Sequence, residues 1–262
     1  MSDHRPAGYR YADPGDRLTR QLIAQSGLSD EAWERQESLA LDELTGPLST
    51  LEPRRRLLDF GSGLGRLSLR FAGLFDQVTS MEPDGDRARA QAATVAASPY
   101  ADRIQVTTGG PGPAYVGQYD AVICSHVIQH VGTATADSIL DTLAAALRPG
   151  GYLLLLTTLT STTAERFVIK RLAAGSRVFE QDVSRAEFEL ACRTNEIGRL
   201  PVRFFTYTDL TDALARRSLR LVASYLFHGR LGVVGPVTAP PVPTGGIAEP
   251  LAWRDIAILA RT

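Results

Sequence analysis

The segment that most constrains this chain is LLDFGSGLGRLSLRF, residues 57–71, where an apolar tetrapeptide meets three alternate glycines and then an amphipathic run. Residues 57–60 read as a short buried strand and 61–65 as a turn. Residues 66–75 read as a helix with Leu67, Phe71 and Leu74 on one face. Gly61 and Gly63 lack a Cβ, so the backbone can bend tightly there and come close to a ligand. Amides at the helix start favour a negative group nearby. Two details narrow what such a bend would bind. The dinucleotide pattern G-x-G-x-x-G asks for glycine at position 66, and this chain has Arg66. Two residues before Gly61 stands Asp59, an acid that repels a pyrophosphate and suits an ammonium.

From residue 57 onward, strand and helix patterns alternate. Further strands are expected at 77–81, 104–107, 119–124 and 152–159. Helices are expected at 84–97 and 135–147, the second stopped by Arg148-Pro149-Gly150-Gly151. This alternation implies a mostly parallel sheet with helices on both faces. Residues 1–15 read as a mobile polar arm. Residues 17–48 read as two helices, one carrying Leu18, Leu22 and Ile23, the other Leu41, Leu44 and Leu48, with a break at Gly27 and Ser29. Beyond the alternating core, helices are expected at 164–173, 184–192 and 208–217, the last capped by Thr208. Strands at 219–227 and 253–260, separated by a Gly- and Pro-rich stretch, suggest an antiparallel edge pair.

Taken in order, these motifs resemble the class I S-adenosyl-L-methionine (SAM)-dependent methyltransferases. Asp59, Gly61, Gly63 and Gly65 match the family's first motif, strand–acid–x–G-x-G-x-G. Glu82 ends the second strand in the string SMEPD, 17 residues after Gly65. YDAVICSHVIQHV (119–131) is similar to the fourth-strand motif, and LRPGGYLLLL (147–156) to the turn into strand five. The resemblance implies an α/β enzyme on a Rossmann-like, doubly wound, mostly parallel seven-stranded sheet with an antiparallel final strand. It implies SAM as cofactor, cradled by Gly61, Ser62 and Gly63. Asp59 would face the SAM amino group, directly or through water. Glu82 would accept both ribose hydroxyls, Pro83 would lie near the adenine, and Ser125 and His126 would line the methionine part. The family usually places an acid after strand three. Here Thr108-Gly109-Gly110-Pro111 stands instead, which leaves the adenine to backbone amides around Gly110 or to a different loop.

A sulfonium is already activated toward nucleophiles, so the enzyme must mainly align the reactants and exclude water. A general base is needed only when the acceptor is protonated, and histidine suits that role near neutrality. His126 and His130 follow strand four, and His130 is expected to face the substrate as base or orienting group, with a merely polar lining role as the alternative. His228 is a weaker candidate. The D/N-P-P-Y/F motif of amide and DNA amino-methyltransferases is absent, the chain reading Cys124-Ser125-His126-Val127. No acidic metal cluster is evident and no metal is expected. The acceptor is then a small molecule methylated on oxygen, nitrogen or carbon. The same fold also supports SAM-consuming cyclases or lyases, which release methylthioadenosine. A NAD-dependent oxidoreductase is disfavoured by Arg66, and a non-catalytic module by the intact Asp59, glycines and Glu82.

Four regions follow: an arm and helical lid (1–50), a SAM-binding core (51–160), a substrate-lid insertion (161–206), and a closing helix with edge strands (207–262) that includes the 228–250 excursion. Tyr9 and Tyr11 suit closure of the arm over the site. Arg203, Phe204, Phe205 and Tyr207 form a cluster that either lines an acceptor pocket, with Tyr207 at the substrate, or belongs to the core. The formal net charge of −1 argues against broad nucleic-acid binding. Two cysteines make no disulfide framework, which fits a reduced, cytoplasmic setting, with Cys124 as a small buried hydrophobe. No apolar run reaches the roughly 18 residues of a membrane span, and the N-terminus has no secretory signal.

Overall fold

Leu57, Leu58, Ala121, Val122, Ile123, Leu153, Leu154 and Leu155 are all essentially inaccessible to solvent. Continuous rather than alternating burial along neighbouring strands is what a parallel sheet covered on both faces requires. The computed structural model describes residues 10–26, 29–52, 54–110, 115–172, 177–229, 232–237 and 253–262, and in it these strands form the centre of a seven-stranded sheet. Its strands are β1 (Arg56–Phe60), β2 (Gln77–Met81), β3 (Ile104–Thr107), β4 (Tyr119–Ser125), β5 (Leu147–Thr158), β9 (Arg220–Phe227) and β10 (Asp255–Arg261). The order is β3-β2-β1-β4-β5-β10-β9. β1 to β5 pair in parallel, and β10 is antiparallel to both of its neighbours.

Helices α3 (Arg66–Phe71), α4 (Gly85–Ala96) and α5 (Thr133–Ala146) connect the parallel strands. One face of the sheet packs on α5 and α7 (Tyr207–Ala215) through Ile139, Leu143, Leu210 and Leu214. The other packs on α2 (Asp30–Ser49) and α3 through Leu41, Leu44, Leu48, Leu67 and Phe71. The Leu41, Leu44, Leu48 stripe is thus the buried face of α2, and Ser29 caps that helix by accepting from the Ala32 amide. Gly27 lies outside the described residues.

The structure corrects several local expectations. Residues 164–173 do not form a helix: β6 (Arg166–Leu172) is the centre of a separate antiparallel sheet with β7 (Val178–Asp182) and β8 (Arg199–Phe204). Its Phe167-Val168-Ile169 run suits a pleated chain, and the partners Val202 and Pro201, far away in sequence, complete it. The helix expected at 184–192 is present as α6 (Arg185–Thr194), closed by a capping box between Ser184 and Glu187. The cap of α7 is Thr206, not Thr208: its hydroxyl accepts from the Asp209 amide, and the helix starts at Tyr207. The 147–151 turn ends α5 as expected but is itself the first stretch of β5, with Leu147 opposite Tyr119. Of the 228–250 excursion, residues 238–250 lie outside the described residues.

Residues 10–15 are not a loose arm. Ala12 and Asp13 are buried, and the Gly198 amide donates to the Ala12 carbonyl. The Asp13 carboxylate caps α1 (Arg17–Ser26) by accepting from the amides of Leu18 and Thr19. Ala12 and Leu18 pack with Val168, Leu200, Val202 and Phe204, so the arm, α1 and the small sheet form one apolar cluster. Leu18, Leu200 and Val202 of this cluster face the same cavity as Phe60 and Ser125 at the ends of β1 and β4.

The run Arg54-Arg55-Arg56 has a structural role at the sheet's N-terminal edge. Asp120, 2% exposed, accepts from the amides of Arg55 and Arg56 at 2.9 and 2.6 Å and pairs with Arg148 at 2.5 Å. One carboxylate therefore ties together the starts of β1, β4 and β5. Asp120→Ala leaves two backbone donors without their acceptor and is expected to destabilise the fold by about 2–4 kcal/mol. Urea denaturation would measure this, with Arg148→Ala costing less because that side chain is partly solvated.

Candidate active site

The strand order reverses between β1 and β4, so the loops after these two strands part and leave a crevice at their C-terminal ends, where open α/β sheets place ligands. The glycine bend fills one side of it. Gly61, Gly63 and Gly65 have φ of +72°, +60° and +85°, the left-handed region that glycine tolerates. A Cβ on Gly61 would sit 2.3 Å from Val127 Cγ2, and one on Gly63 would sit 2.7 Å from Arg87 Nη2. The amides of Gly61 and Ser62 both donate to the Met81 carbonyl, which locks the bend to the end of β2.

Two carboxylates flank this bend. Asp59 is 1% exposed; its Oδ2 accepts a 2.6 Å hydrogen bond from Ser68 Oγ. Ser68 in turn meets Ser80 Oγ at 2.7 Å, Gln91 donates to Ser80, and Ser62 Oγ donates to Gln91 Oε1. A buried polar chain thus joins the bend, β1, α3, β2 and α4 behind Asp59. Burial outweighs the Ser68 hydrogen bond and raises the Asp59 pKa to about 6. Glu82, also buried, accepts from the Gly63 amide through Oε2 and the Asp84 amide through Oε1, both at 2.8 Å. Burial pushes its pKa up while these two amides pull it down.

Three histidines stand on the same cavity. His126, at φ +54°, takes a hydrogen bond at Nδ1 from Gln129 Nε2 (2.9 Å), and Gln129 Oε1 is held by the Thr157 hydroxyl. This arrangement puts the His126 proton on Nε2, and burial lowers the ring's pKa. His130 Nδ1 lies 2.8 Å from the Pro201 carbonyl, so Nδ1 carries a proton and the neutral ring has its lone pair on Nε2. His228 stacks on Trp33 with 3.7 Å between ring centroids and bonds to both Asp255 Oδ2 (2.7 Å) and the Trp33 carbonyl (3.0 Å). Both of its nitrogens are therefore engaged structurally, which sets His228 apart as a clamp between α2 and β10.

The cavity holds about 540 Å³, within the range of small-molecule sites. Asp59, Gly61, Ser62, Gly63, Glu82, Pro83, Gly110, Ser125, His126, His130 and Tyr11 all line it. Tyr11 packs edge-on to His130 and under the Arg87 guanidinium, and its amide donates to Asp84. Tyr9 lies outside the described residues. Tyr207 is not on the cavity wall: it is buried under α7, and its hydroxyl donates to the Val237 carbonyl. Phe204 and Phe205 are buried core as well, so the aromatic cluster before α7 serves packing. The sequence patterns did not single out Trp33, Glu37, Arg87, Lys170, Arg254 and Asp255, which also line the cavity. An isolated lysine inside Val-Ile-Lys and two charges opening an otherwise apolar final strand were the available signals.

A family model described as "Methyltransferase domain" matches residues 32–224, most of the chain. The chain belongs to this methyltransferase family. The ubiquinone biosynthesis O-methyltransferase of Xanthomonas campestris pv. campestris is 28% identical to it over 183 residues, 66% of this chain and 75% of that protein. Among solved structures, the methyltransferase is similar to the Burkholderia thailandensis 1,6-didemethyltoxoflavin-N1-methyltransferase, with a TM-score of 0.53 and 15% identity over 93% of this chain and 81% of the other. A Clostridium acetobutylicum S-adenosylmethionine-dependent methyltransferase gives a TM-score of 0.57 at 10% identity over 94% and 95% of the two chains. At such identities the structures speak for the fold. Among the described residues, no helix of this methyltransferase is long and apolar enough to cross a membrane.

The raised pKa of Asp59 has a consequence for stability. The unfolded chain loses this proton near the ordinary aspartate value of 3.8, the folded protein near 6. The folded state therefore holds the extra proton between these values, and stability falls as pH rises through that window. Asp59→Asn removes the penalty. The ligand-free variant is expected to be more stable than the parent at pH 7.5 by up to about 2–3 kcal/mol, and not at pH 4. Denaturation curves of both proteins at the two pH values would show it.

Proposed function

We propose that this methyltransferase binds SAM against the glycine bend and transfers its methyl group to a small molecule seated between the bend and the lid. The observation that carries this reading is the pair of buried carboxylates, Asp59 and Glu82, on either side of a bend that has no room for a side chain. Asp59 offers a negative charge to an ammonium. Glu82 offers two oxygens to a pair of adjacent hydroxyls, and the Gly63 and Asp84 amides hold those oxygens in place. Ser62 lies along the turn, Pro83 and Gly110 border the adenine, and Ser125 and His126 border the methionine part.

When bound, SAM supplies a methyl group on a sulfonium that needs no further activation. The protein's residues then have to position the acceptor and keep water out. Tyr11 and α1 roof the cavity, and Leu18, Leu22, Leu200 and Val202 give it an apolar wall. His130 is the group placed to orient the acceptor or take its proton: the Pro201 carbonyl holds Nδ1–H, which leaves Nε2 as the basic nitrogen. Closure of the N-terminal arm over the site through Tyr9 and Tyr11 belongs to this proposal. The low cysteine count, two in 262 residues, supports a cytoplasmic setting.

Calorimetry with SAM and S-adenosylhomocysteine tests the map. Glu82→Ala and Asp59→Ala are each expected to weaken binding at least about tenfold, the minimum for loss of one charge-assisted contact. Wild-type affinity in both variants would refute it. SAM affinity should also rise with pH through about 6, as Asp59 ionises, and Asp59→Asn should abolish that rise. Turnover should release S-adenosylhomocysteine; methylthioadenosine would instead identify a cyclase or lyase.

A further inference from the structure

The lid end of the cavity contains a charge arrangement that SAM binding does not use. Lys170 on β6 is 5% exposed. Its Nζ lies 3.3 Å from Glu180 Oε1 on β7, and Arg254 Nη1 lies 3.4 Å from the same oxygen. Arg166 reaches Glu180 Oε2 at 3.7 Å but is matched by Asp182 at 2.6 Å. Lys170, Arg254 and Arg166 all gather around the ring of Phe204, 5.4–5.8 Å from its centroid. The other nearby acid, Asp255, spends Oδ2 on His228.

The pairing leaves an imbalance. Arg166 has Asp182, and among the described residues the ion pairs of Lys170 and Arg254 are both made with one carboxylate, Glu180. Both line the cavity, together with Leu200, Val202, Trp33, Thr158, His228 and Asp255. A buried cation with half a counter-ion is costly unless a ligand completes the pair. Burial and the neighbouring Arg254 bring the Lys170 pKa down to about 7 in the absence of a ligand, a further mark of incomplete pairing.

We propose that the methyl acceptor carries a carboxylate on an apolar body, and that Lys170 and Arg254 bind that carboxylate at the lid end of the cavity. The apolar wall accommodates the body, the two cations hold the anion, and the end to be methylated points back toward His130 and the bend. Lys170 and Arg254 are then specificity residues, not catalytic ones. Asp255 also lines the cavity, with Oδ2 bonded to His228 and Oδ1 without a hydrogen-bond partner among the described residues, so the two cations must outweigh its charge. The proposal rests on the methyl-transfer reading only in assuming a small-molecule acceptor.

The test compares binding of hydroxybenzoates and aminobenzoates with that of the matching neutral benzamides, by calorimetry at pH 6.5 with saturating S-adenosylhomocysteine. At least one carboxylate should bind the wild-type protein tenfold or more tightly than its amide. Lys170→Met and Arg254→Met should each remove that preference, while Arg254→Lys should keep most of it. S-adenosylhomocysteine affinity should stay within twofold in all three variants, which also reports that they fold. Equal binding of acids and amides, or no binding of any carboxylate while S-adenosylhomocysteine still binds, overturns this proposal and leaves the cofactor map standing. Failure of the wild type to bind S-adenosylhomocysteine overturns the cofactor map instead. In that case the acid-to-amide comparison, run without it, still decides whether Lys170 and Arg254 read a carboxylate.

Discussion

A carboxylate held out of water at the end of β1 is the constraint around which the site is organised. Asp59 has one short hydrogen bond, from Ser68, and burial keeps it from ionising easily. The chain of Ser68, Ser80, Gln91 and Ser62 fixes its position and also reaches the glycine bend. Four secondary-structure elements converge on this network, so the geometry of the bend and the charge beside it are set together. Such a network is stable only when its members are satisfied. What remains unmet is the negative charge of Asp59, for which the proposed cofactor's ammonium would be the partner.

The same logic explains why the protein tolerates a destabilising group. An asparagine at 59 would keep the Ser68 hydrogen bond and avoid the desolvation of a charge. Function asks for the charge, and the fold bears it, a familiar opposition between stability and activity. Glu82 is arranged differently. Two backbone amides already stabilise its ionised form, one of them from the bend itself. The two acids therefore differ in cost although they flank one turn.

The lid has its own structural basis. The small antiparallel sheet has an apolar side that cannot face water, and the N-terminal strap and α1 cover it through Ala12, Leu18 and Leu22. Asp13 and Asp84, each accepting backbone amides, pin the strap at its two ends. Lys170 on β6 meets Arg254 and Asp255 at the start of β10 on the cavity wall. The lid also roofs a cavity that would otherwise be an open crevice.

Much of the sheet, and the glycine bend with its two flanking acids, was legible in the sequence. Strand burial, glycine spacing and the acids at 59 and 82 are local patterns, each dictated by backbone geometry within a few residues, and they appear in the structure where the pattern puts them. The lid was not legible in that way. Residues 166–172 carry no decisive periodicity, and they become a strand only because β7 and β8 pair with them. Tyr207 looked like a site residue next to Arg203 and Phe205, yet the turn into α7 sends it into the core. Lys170, Arg254 and Asp255 stand on one cavity wall although 84 or more residues of chain separate the first from the other two. Local sequence determined the bend and its two acids because their chemistry depends on near neighbours. Only tertiary structure decided which charges would share one cavity wall, because that depends on pairings between strands distant in the chain.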